Sequence, residues 1–106
     1  MGFLDFFHRP DINQGVRMFE DTKSAVLLDV REKDEYSQGH IPGSKNLPLS
    51  EITSASNVIK DKNTPLFVYC LSGGRSSQAT AMLVRMGYIA VNNIGGISGY
   101  TGKVVR

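Results

Sequence analysis

The single cysteine of the sequence, Cys70, stands between an apolar run and a Ser/Gly-rich loop. The run LFVYC, Leu66–Cys70, predicts a buried strand, and an Ala-rich helix is predicted to begin near Arg75. Backbone N–H groups of such a loop and of a helix N-terminus point towards an anion, and the helix dipole adds about half a positive charge. These surroundings lower the pKa of a thiol and hold anions, so the pattern favours a nucleophilic cysteine.

The loop residues point in the same direction. Gly73 and Gly74 let the backbone curl closely around the sulfur, and three serines, Ser72, Ser76 and Ser77, offer hydroxyl donors. Arg75 adds a fixed positive charge where the loop ends. The competing interpretation treats the cysteine as a small buried apolar residue, which is the commoner role of a lone cysteine in a cytosolic protein.

Length and composition indicate one globular domain. The chain has 106 residues, of which 41% are hydrophobic and 21% are charged, and this is enough for one domain with its own core. We expect that domain to span residues 11–106, after an apolar lead at residues 1–10. The net charge of +2 is small and scattered, so it favours neither nucleic acid nor an anionic membrane as a partner.

The cysteine and histidine content excludes several kinds of site. One cysteine forbids an intramolecular disulfide and a cysteine-based metal cluster. The two histidines, His8 and His40, lie in unrelated contexts. No apolar run approaches the ~20 residues of a membrane span. The cytoplasm is therefore the expected compartment, and no metal is expected.

The alternation of predicted strands and helices favours an α/β domain whose mostly parallel central sheet is flanked by helices on both faces. Strands are predicted at residues 25–30, 45–47, 66–70 and 88–92. Helices are predicted at residues 12–21 with Asp11 as cap, at 31–38, over 48–59 with Ser50 as cap, at 76–86, and in a final turn after Gly95. In such sheets ligands bind beyond the carboxyl ends of the strands, and Cys70 is predicted to lie at such an end.

Three chemistries use a thiol in such a loop. A thiol hydrolase pairs the cysteine with a histidine base, and His40 is the candidate, although the turn sequence HIPG around it favours a structural role. A cysteine phosphatase places its arginine one residue further from the cysteine than Arg75 stands from Cys70. Sulfur transfer carries a sulfane sulfur on the thiolate as a persulfide, whose small anionic terminal sulfur suits a ring of backbone N–H groups.

Three stretches carry a resemblance to a known family: LLDVREKDEYSQGHIPGSKNLPL at residues 27–49, CLSGGRSS from Cys70 onwards, and the glycine-rich GGISGY near the end. Together they resemble the rhodanese family in its compact single-domain form. The resemblance implies a rhodanese-like fold and a sulfurtransferase with Cys70 as the persulfide-carrying nucleophile. The residues implied to cradle the persulfide are Leu71, Ser72, Gly73, Gly74 and Arg75.

The resemblance also implies the reaction partners. Sulfur would move from a small donor, thiosulfate or a persulfide, to cyanide, a small thiol or a protein thiol, with no metal or organic cofactor because the sulfur travels on the cysteine. One departure from the family pattern concerns Leu71 and Ser72, which are neutral where well-known thiosulfate-using members carry a basic residue early in the loop. Tyr100 stands where the family often has tryptophan, which we interpret as a packing substitution.

Charged residues near the predicted site have supporting roles in this scheme. Asp29 and Arg31 are predicted to support the loop, either by pairing with Arg75 or as a structural ion pair, and Ser76 is grouped with them. Two roles stay open for Arg75, binding donor anions and bracing the loop. The residues predicted to lie on a solvated helix face are Glu32, Asp34 and Glu35.

Two other functions are compatible with the sequence. A non-catalytic binding module could keep the same fold and use the apolar lead, with its aromatic residues between Phe3 and Phe7, to dock a partner. A cysteine-based phosphatase or arsenate reductase could use the same loop for a larger anion.

Overall fold

The computed structural model describes residues 10–106, in which four strands alternate with α-helices and 3-10 helices. In chain order the elements are α1 (Ile12–Asp21), β1 (Val26–Asp29), α2 (Lys33–Gln38), β2 (Ser44–Asn46), a 3-10 helix (Leu49–Ser54), α3 (Ala55–Val58), β3 (Leu66–Cys70), α4 (Gly74–Arg85), β4 (Val91–Gly96) and a second 3-10 helix (Ile97–Gly99). The predicted apolar lead, apart from Pro10, lies outside the described residues. Within residues 10–106, no helix has the length and apolar character needed to cross a membrane.

The four strands run parallel in the order β2-β1-β3-β4. Strand β3 therefore lies inside the sheet, between β1 and β4, and all five of its residues are buried. Burial on both faces explains why its sequence LFVYC lacks polar alternation. The carboxyl end of β3, and Cys70 with it, lies between the ends of two neighbouring strands.

Two hydrophobic clusters cover the two faces of the sheet, since alternate residues of a strand point to opposite sides. The cluster that includes α1 consists of the buried residues Ile12, Val16, Leu27, Ile41, Phe67, Tyr69 and Ile94. The cluster that includes α4 and the first 3-10 helix contains, among others, Leu28, Val30, Ile52, Ala79, Leu83 and Tyr88. The predicted parallel sheet with helices on both faces is confirmed.

Two local predictions are wrong. Strand β4 begins at Val91 and not at Tyr88. Tyr88 is only 2% exposed in the core, where its hydroxyl donates to the carbonyl oxygen of Ile59 at 2.5 Å, so this aromatic residue fills space beneath α4 and does not begin a strand. Ser50 does not cap a helix, because the 3-10 helix already begins at Leu49 with Pro48 at its N-cap.

Helix α1 matches the prediction and approaches the sheet closely at Gly15. Asp11 caps the helix, since its carboxylate accepts a hydrogen bond from the backbone N–H of Asn13 at 3.0 Å. Gly15 is buried, and a Cβ at this position would overlap the Cβ and Cγ2 of Ile94 in β4. Only glycine permits this separation, which sets α1 against β4 near the end of the sheet that carries Cys70.

Gly15→Ala is expected to destabilise the fold by about 1–3 kcal/mol, because the added methyl group must push α1 away from Ile94. Replacing glycine by alanine inside a helix usually increases stability by up to about 1 kcal/mol. The expected effect here therefore has the opposite sign to the one that helix propensity alone predicts. Urea unfolding followed by circular dichroism measures the change. Gln14→Ala, at an exposed position of the same helix, is the matched control. A Gly15→Ala variant as stable as the unsubstituted protein would contradict the close approach.

Candidate active site

Cys70 is the last residue of β3, and residues 71–73 connect it to α4. Its Cα pairs with that of Gly96, the last residue of β4, so the cysteine lies where two adjacent strands end. Only 1% of Cys70 is exposed. The short connection turns the N-terminus of α4 back towards the sulfur.

The sulfur of Cys70 accepts hydrogen bonds from this turn. Gly73 N–H lies 3.0 Å from Sγ and Ser76 N–H lies 3.3 Å away. The thiol in turn donates to the Ser76 hydroxyl oxygen at 3.5 Å. Burial raises the pKa of the Cys70 thiol, but hydrogen bonds from the Ser76 hydroxyl and from the N–H groups of Ser76, Gly73 and Ser72 outweigh burial and lower it. The site therefore favours the thiolate, which is the nucleophilic form.

A left-handed residue makes the turn possible. Gly73 has φ 106°, a backbone conformation that residues other than glycine rarely adopt, and it occupies the N-cap position of α4. Because the chain reverses within one residue, α4 begins at Gly74, earlier than the predicted start at Ser76. The early start brings the backbone N–H of Ser76 within reach of the sulfur.

Strand β4 supports the loop from the other side. Gly96 lies against the loop backbone, where a Cβ would overlap the carbonyl oxygen of Leu71 and the Cα of Ser72. The same carbonyl oxygen accepts a hydrogen bond from the N–H of Ser98 at 3.1 Å. The loop backbone is thus held in place, while the side chain of Leu71 is 46% exposed beside it.

The Ser76 hydroxyl connects the sulfur to β4. Ser76 is fully buried, and its hydroxyl oxygen lies 2.7 Å from Oδ1 of Asn93 and 3.1 Å from the carbonyl oxygen of Gly73. Oδ1 of Asn93 also accepts a hydrogen bond from the N–H of Gly95 at 3.1 Å. Asn93 therefore belongs to the surroundings of Cys70, although it was not among the predicted site residues.

Arg75 is held by Glu35 of α2. Its Nη1 and Nη2 donate to the two carboxylate oxygens of Glu35 at 2.7 and 3.0 Å. The hydrogen bond from Arg75 is the main reason why the pKa of Glu35 is lowered to about 2, and the same bond raises the pKa of Arg75. The prediction that Glu35 lies on a solvated helix face is wrong, because this carboxylate is 28% exposed and joins α2 to the end of the loop.

Asp29 pairs with Arg31 and not with Arg75. Nη2 of Arg31 lies 2.7 Å from Oδ2 of Asp29, and the side chains are 7% and 0% exposed. Burial lowers the pKa of Arg31, but the hydrogen bond and the charge of Asp29 outweigh it and raise the pKa. The same Nη2 donates to the carbonyl oxygen of Gly39 at 2.7 Å. Of the two predicted alternatives, the structure contains the ion pair, which ties the end of β1 to the end of α2.

His40 is occupied by structural contacts. Its Nδ1 lies 2.8 Å from the carbonyl oxygen of Tyr36, and its ring stacks on the Tyr36 ring with centroids 3.7 Å apart. Its backbone pairs with that of Val105. Within residues 10–106, the hydrogen-bond partners of the Cys70 sulfur are Gly73 and Ser76, so His40 is not paired with the thiol as a hydrolase base requires.

Two clefts lie beside the loop. One, of about 370 Å³, is lined by residues that include Ser72, Gly73, Ser77 and Asn93. The other, of about 470 Å³, is lined by Ser72 and by residues that include Asp11. Among the described residues that line these clefts, none is a lysine or an arginine. Hydroxyl, amide and backbone groups line both clefts, and the carboxylate of Asp11 lines the larger one.

Comparisons with known proteins identify the family. A family model, the rhodanese-like domain, matches residues 13–103. The thiosulfate sulfurtransferase PspE of Escherichia coli strain K12 is 41% identical over 71 residues, which make up 66% of this chain and 68% of that protein. A putative mitochondrial thiosulfate sulfurtransferase of Schizosaccharomyces pombe is 40% identical over 89 residues, covering 73% of this chain and 61% of that protein. The chain belongs to the rhodanese-like domain family, and it spans about two thirds or less of the length of these relatives.

Solved structures agree in fold. A structure described as rhodanese with anions from Escherichia coli is 36% identical, has a TM-score of 0.72, and is matched over 77% of this chain and 98% of that chain. The crystal structure of a rhodanese-like domain protein from Staphylococcus aureus is 26% identical, has a TM-score of 0.76, and is matched over 91% of this chain and 95% of that chain. The fold implied by the sequence resemblance is confirmed.

Glu35→Gln is expected to change how stability depends on pH. The pKa of Glu35 is lowered to about 2 in the folded protein from about 4.3 in an unfolded chain. The contribution of the Glu35–Arg75 pair is therefore fully present above about pH 4.3 and is lost as the pH falls towards 2. The difference in free energy of unfolding between the unsubstituted protein and Glu35→Gln should shrink across that range, as measured by urea unfolding.

Asp34→Asn is the control for this experiment, because it removes one negative charge from an exposed position in the first turn of the same helix. Profiles of the unsubstituted protein and of Glu35→Gln that stay parallel down to pH 2 would contradict the role of the pair.

Proposed function

We propose that this member of the rhodanese-like family is a sulfurtransferase that carries a sulfane sulfur as a persulfide on Cys70. The observation that carries the proposal is the pair of donors at the sulfur, the N–H groups of Gly73 and Ser76 at 3.0 and 3.3 Å. These groups favour a thiolate without a histidine base. The sequence relatives named as thiosulfate sulfurtransferases support the same reaction class.

In the first step the Cys70 thiolate attacks the outer sulfur of a donor such as thiosulfate or a persulfide. A new S–S bond forms on Cys70, the donor S–S bond breaks, and sulfite or a thiolate leaves with the bonding electron pair. Because only 1% of Cys70 is exposed, the attacked sulfur must be the slender end of its donor. No metal or organic cofactor takes part in this step.

In the second step an acceptor attacks the terminal sulfur of the Cys70 persulfide. Cyanide becomes thiocyanate, a small thiol or a protein thiol becomes a persulfide, and the Cys70 thiolate is regenerated as the leaving group. The residues that we propose to hold the terminal sulfur are those of the loop, Leu71, Ser72, Gly73, Gly74 and Arg75, through their backbone N–H groups. A thiol that must return to its reduced form suits a reducing compartment, and the cytoplasm is the proposed location.

For Arg75 we propose the bracing role. Both Nη1 and Nη2 are engaged by Glu35, and the pair joins α2 to the loop. These bonds commit two of the five N–H donors of the guanidinium to Glu35 and orient the side chain towards α2. The shorter distance along the chain from Cys70 to Arg75, compared with cysteine phosphatases, disfavours phosphate chemistry. We propose that Asp29, Arg31 and Ser76 support the site in the same structural sense.

Treatment with thiosulfate is expected to add one sulfur to the protein, seen by intact-mass spectrometry, and Cys70→Ala should remove both this mass shift and all turnover. Ser77→Ala, which changes a hydroxyl beside the cleft and leaves the cysteine in place, is the matched control. Thiosulfate should be tested beside small-molecule persulfides, because the comparison shows which of these two classes of donor transfers sulfur to Cys70.

An unchanged mass with every donor, in a folded protein, would count against sulfur transfer. Cys70-dependent cleavage of an aryl phosphate would then favour a phosphatase. If neither activity appears, the remaining function is a binding module, in which the predicted apolar lead at residues 1–10 becomes the segment to delete.

Arg75→Gln and Glu35→Gln are expected to lower kcat for sulfur transfer by similar factors, roughly 2- to 5-fold, since each removes the same partly exposed brace. The KM for thiosulfate should change little and in the same direction in both variants. If Arg75 bound the donor, Arg75→Gln would raise this KM while Glu35→Gln, which frees the guanidinium, would lower it. Opposite shifts in KM would therefore overturn the bracing role.

A further inference from the structure

We propose that Asn93 of β4 is a positioning residue that determines in which direction the Ser76 hydroxyl donates its proton, and thereby how readily Cys70 ionises. The inference deepens the proposed function and rests on it only in taking Cys70 as the reacting thiol. Asn93 lies outside the loop at residues 70–75, on a different strand, and lines the cleft of about 370 Å³ beside the loop.

The geometry forms a chain of hydrogen bonds. Sγ of Cys70 lies 3.5 Å from the hydroxyl oxygen of Ser76, which lies 2.7 Å from Oδ1 of Asn93. In the thiol state Cys70 donates its S–H to the Ser76 oxygen, and Ser76 donates its single proton to Asn93. Because Ser76 is fully buried, water does not compete for that proton.

The orientation of the Asn93 amide is fixed by a second contact. The N–H of Gly95 donates to Oδ1 at 3.1 Å, so Oδ1 and not the NH₂ group faces both Gly95 and Ser76. Towards Ser76, Asn93 can therefore accept a hydrogen bond but cannot donate one. In the thiol state the hydrogen bonds therefore run in one direction, from Cys70 to Ser76 and from Ser76 to Asn93.

Ionisation of Cys70 reverses the direction. The thiol proton leaves to solvent or to a donor fragment, and the Ser76 hydroxyl rotates so that it donates to the thiolate; no covalent bond changes in this rotation. The hydroxyl then loses its hydrogen bond to Asn93. Asn93 therefore favours the thiol, while the N–H groups of Gly73 and Ser76 favour the thiolate.

This competition has a use in sulfur transfer. The nucleophilicity of a thiolate falls as its pKa falls, so a thiolate stabilised without limit would react slowly. Because Asn93 accepts the Ser76 proton, it limits how far the pKa of Cys70 falls. The thiolate then forms readily and keeps its nucleophilicity. The carbonyl oxygen of Gly73, 3.1 Å from the Ser76 hydroxyl, offers a second acceptor and limits the size of the effect.

Other charges near the cysteine are the same in every variant and do not depend on Asn93. Arg75 favours the thiolate by its charge and is itself paired with Glu35. Asp29 and Arg31 at the end of β1 pair with each other, and Glu32 and Asp11 stand at the N-caps of α2 and α1. The other charged residues of these helices are Arg17, Glu20 and Asp21 on α1, Lys33 and Asp34 on α2, and Arg85 on α4. Neither β4 nor the 3-10 helix after it contains a titratable residue.

The test is the pH profile of Cys70 alkylation by iodoacetamide, which needs no sulfur donor and, with one cysteine in the chain, reports on one thiol. Asn93→Ala removes the nearest of the competing acceptors, so alkylation below the midpoint should become about 2- to 5-fold faster, in keeping with part of one hydrogen bond. Asn93→Asp keeps an acceptor for Gly95 and binds the Ser76 proton more strongly, so its profile should move the opposite way, to higher pH.

The control variants are Asn92→Ala and Asn92→Asp, which make the same changes one residue earlier. The Asn92 side chain donates to the carbonyl oxygen of Leu66 at 3.1 Å and does not contact Ser76. Their profiles should lie close to that of the unsubstituted protein. In a Ser76→Ala background, Asn93→Ala should have no further effect, because the connecting hydroxyl is gone.

Shifts of Asn93→Ala and Asn93→Asp in the same direction would overturn the inference, as would an effect of Asn93→Ala that survives in the Ser76→Ala background. Thermal unfolding checks that each variant is folded. If Asn93→Ala is not folded, Asn93→Asp measured with and without Ser76→Ala decides the question. A shift to higher pH that persists without the hydroxyl comes from the added charge and overturns the inference. If alkylation shifts as expected while Cys70 never gains a sulfur, the proposed function fails and the role of Asn93 stands.

Discussion

Ionising a thiol that is 1% exposed is costly, because a buried negative charge loses the solvation that water provides. The protein offsets this cost with hydrogen-bond donors placed at 3.0 and 3.3 Å from the sulfur by a single sharp turn. Three features of the surrounding fold hold that turn in place. A left-handed Gly73 ends the turn at the N-cap of α4, and the backbone of β4 lies behind it at Gly96. Arg75, in the first turn of α4, is held by Glu35 of α2.

The sequence was sufficient for the parts of the site that are contiguous in the chain. An apolar run, a cysteine, two glycines and an Ala-rich helix follow one another within a short segment, and local rules connect such a pattern to a strand, a turn and a helix N-terminus. The parallel sheet followed from the same kind of pattern, since unalternated apolar runs indicate strands covered on both faces. The cap of α1 by Asp11 was predictable for the same local reason.

Contacts between distant segments were not predictable in this way. Glu35 is separated from Arg75 by 40 positions, and a charged residue in a short helix gives no signal that distinguishes a buried pair from a solvated one. The sequence pattern does not place Asn93 at the site, because it predicts the strand at residues 88–92 and a glycine-rich tail from Gly95, which leaves Asn93 in neither. The available signal was the run NNIGG itself, since glycines beside polar residues in a strand mark close approach of another backbone.

The strand order has a consequence for how the protein is made. The donors to Cys70 follow it in the chain, and the groups that hold them, Asn93 and Gly96, come later still, on a strand that pairs with β3. On a ribosome the chain emerges from its N-terminus, so a nascent molecule that already exposes the cysteine still lacks the strand that completes its surroundings. The hydrogen-bonded surroundings of the Cys70 thiol, both the groups that favour its ionisation and the one that restrains it, are thus complete only once β4 has paired with β3.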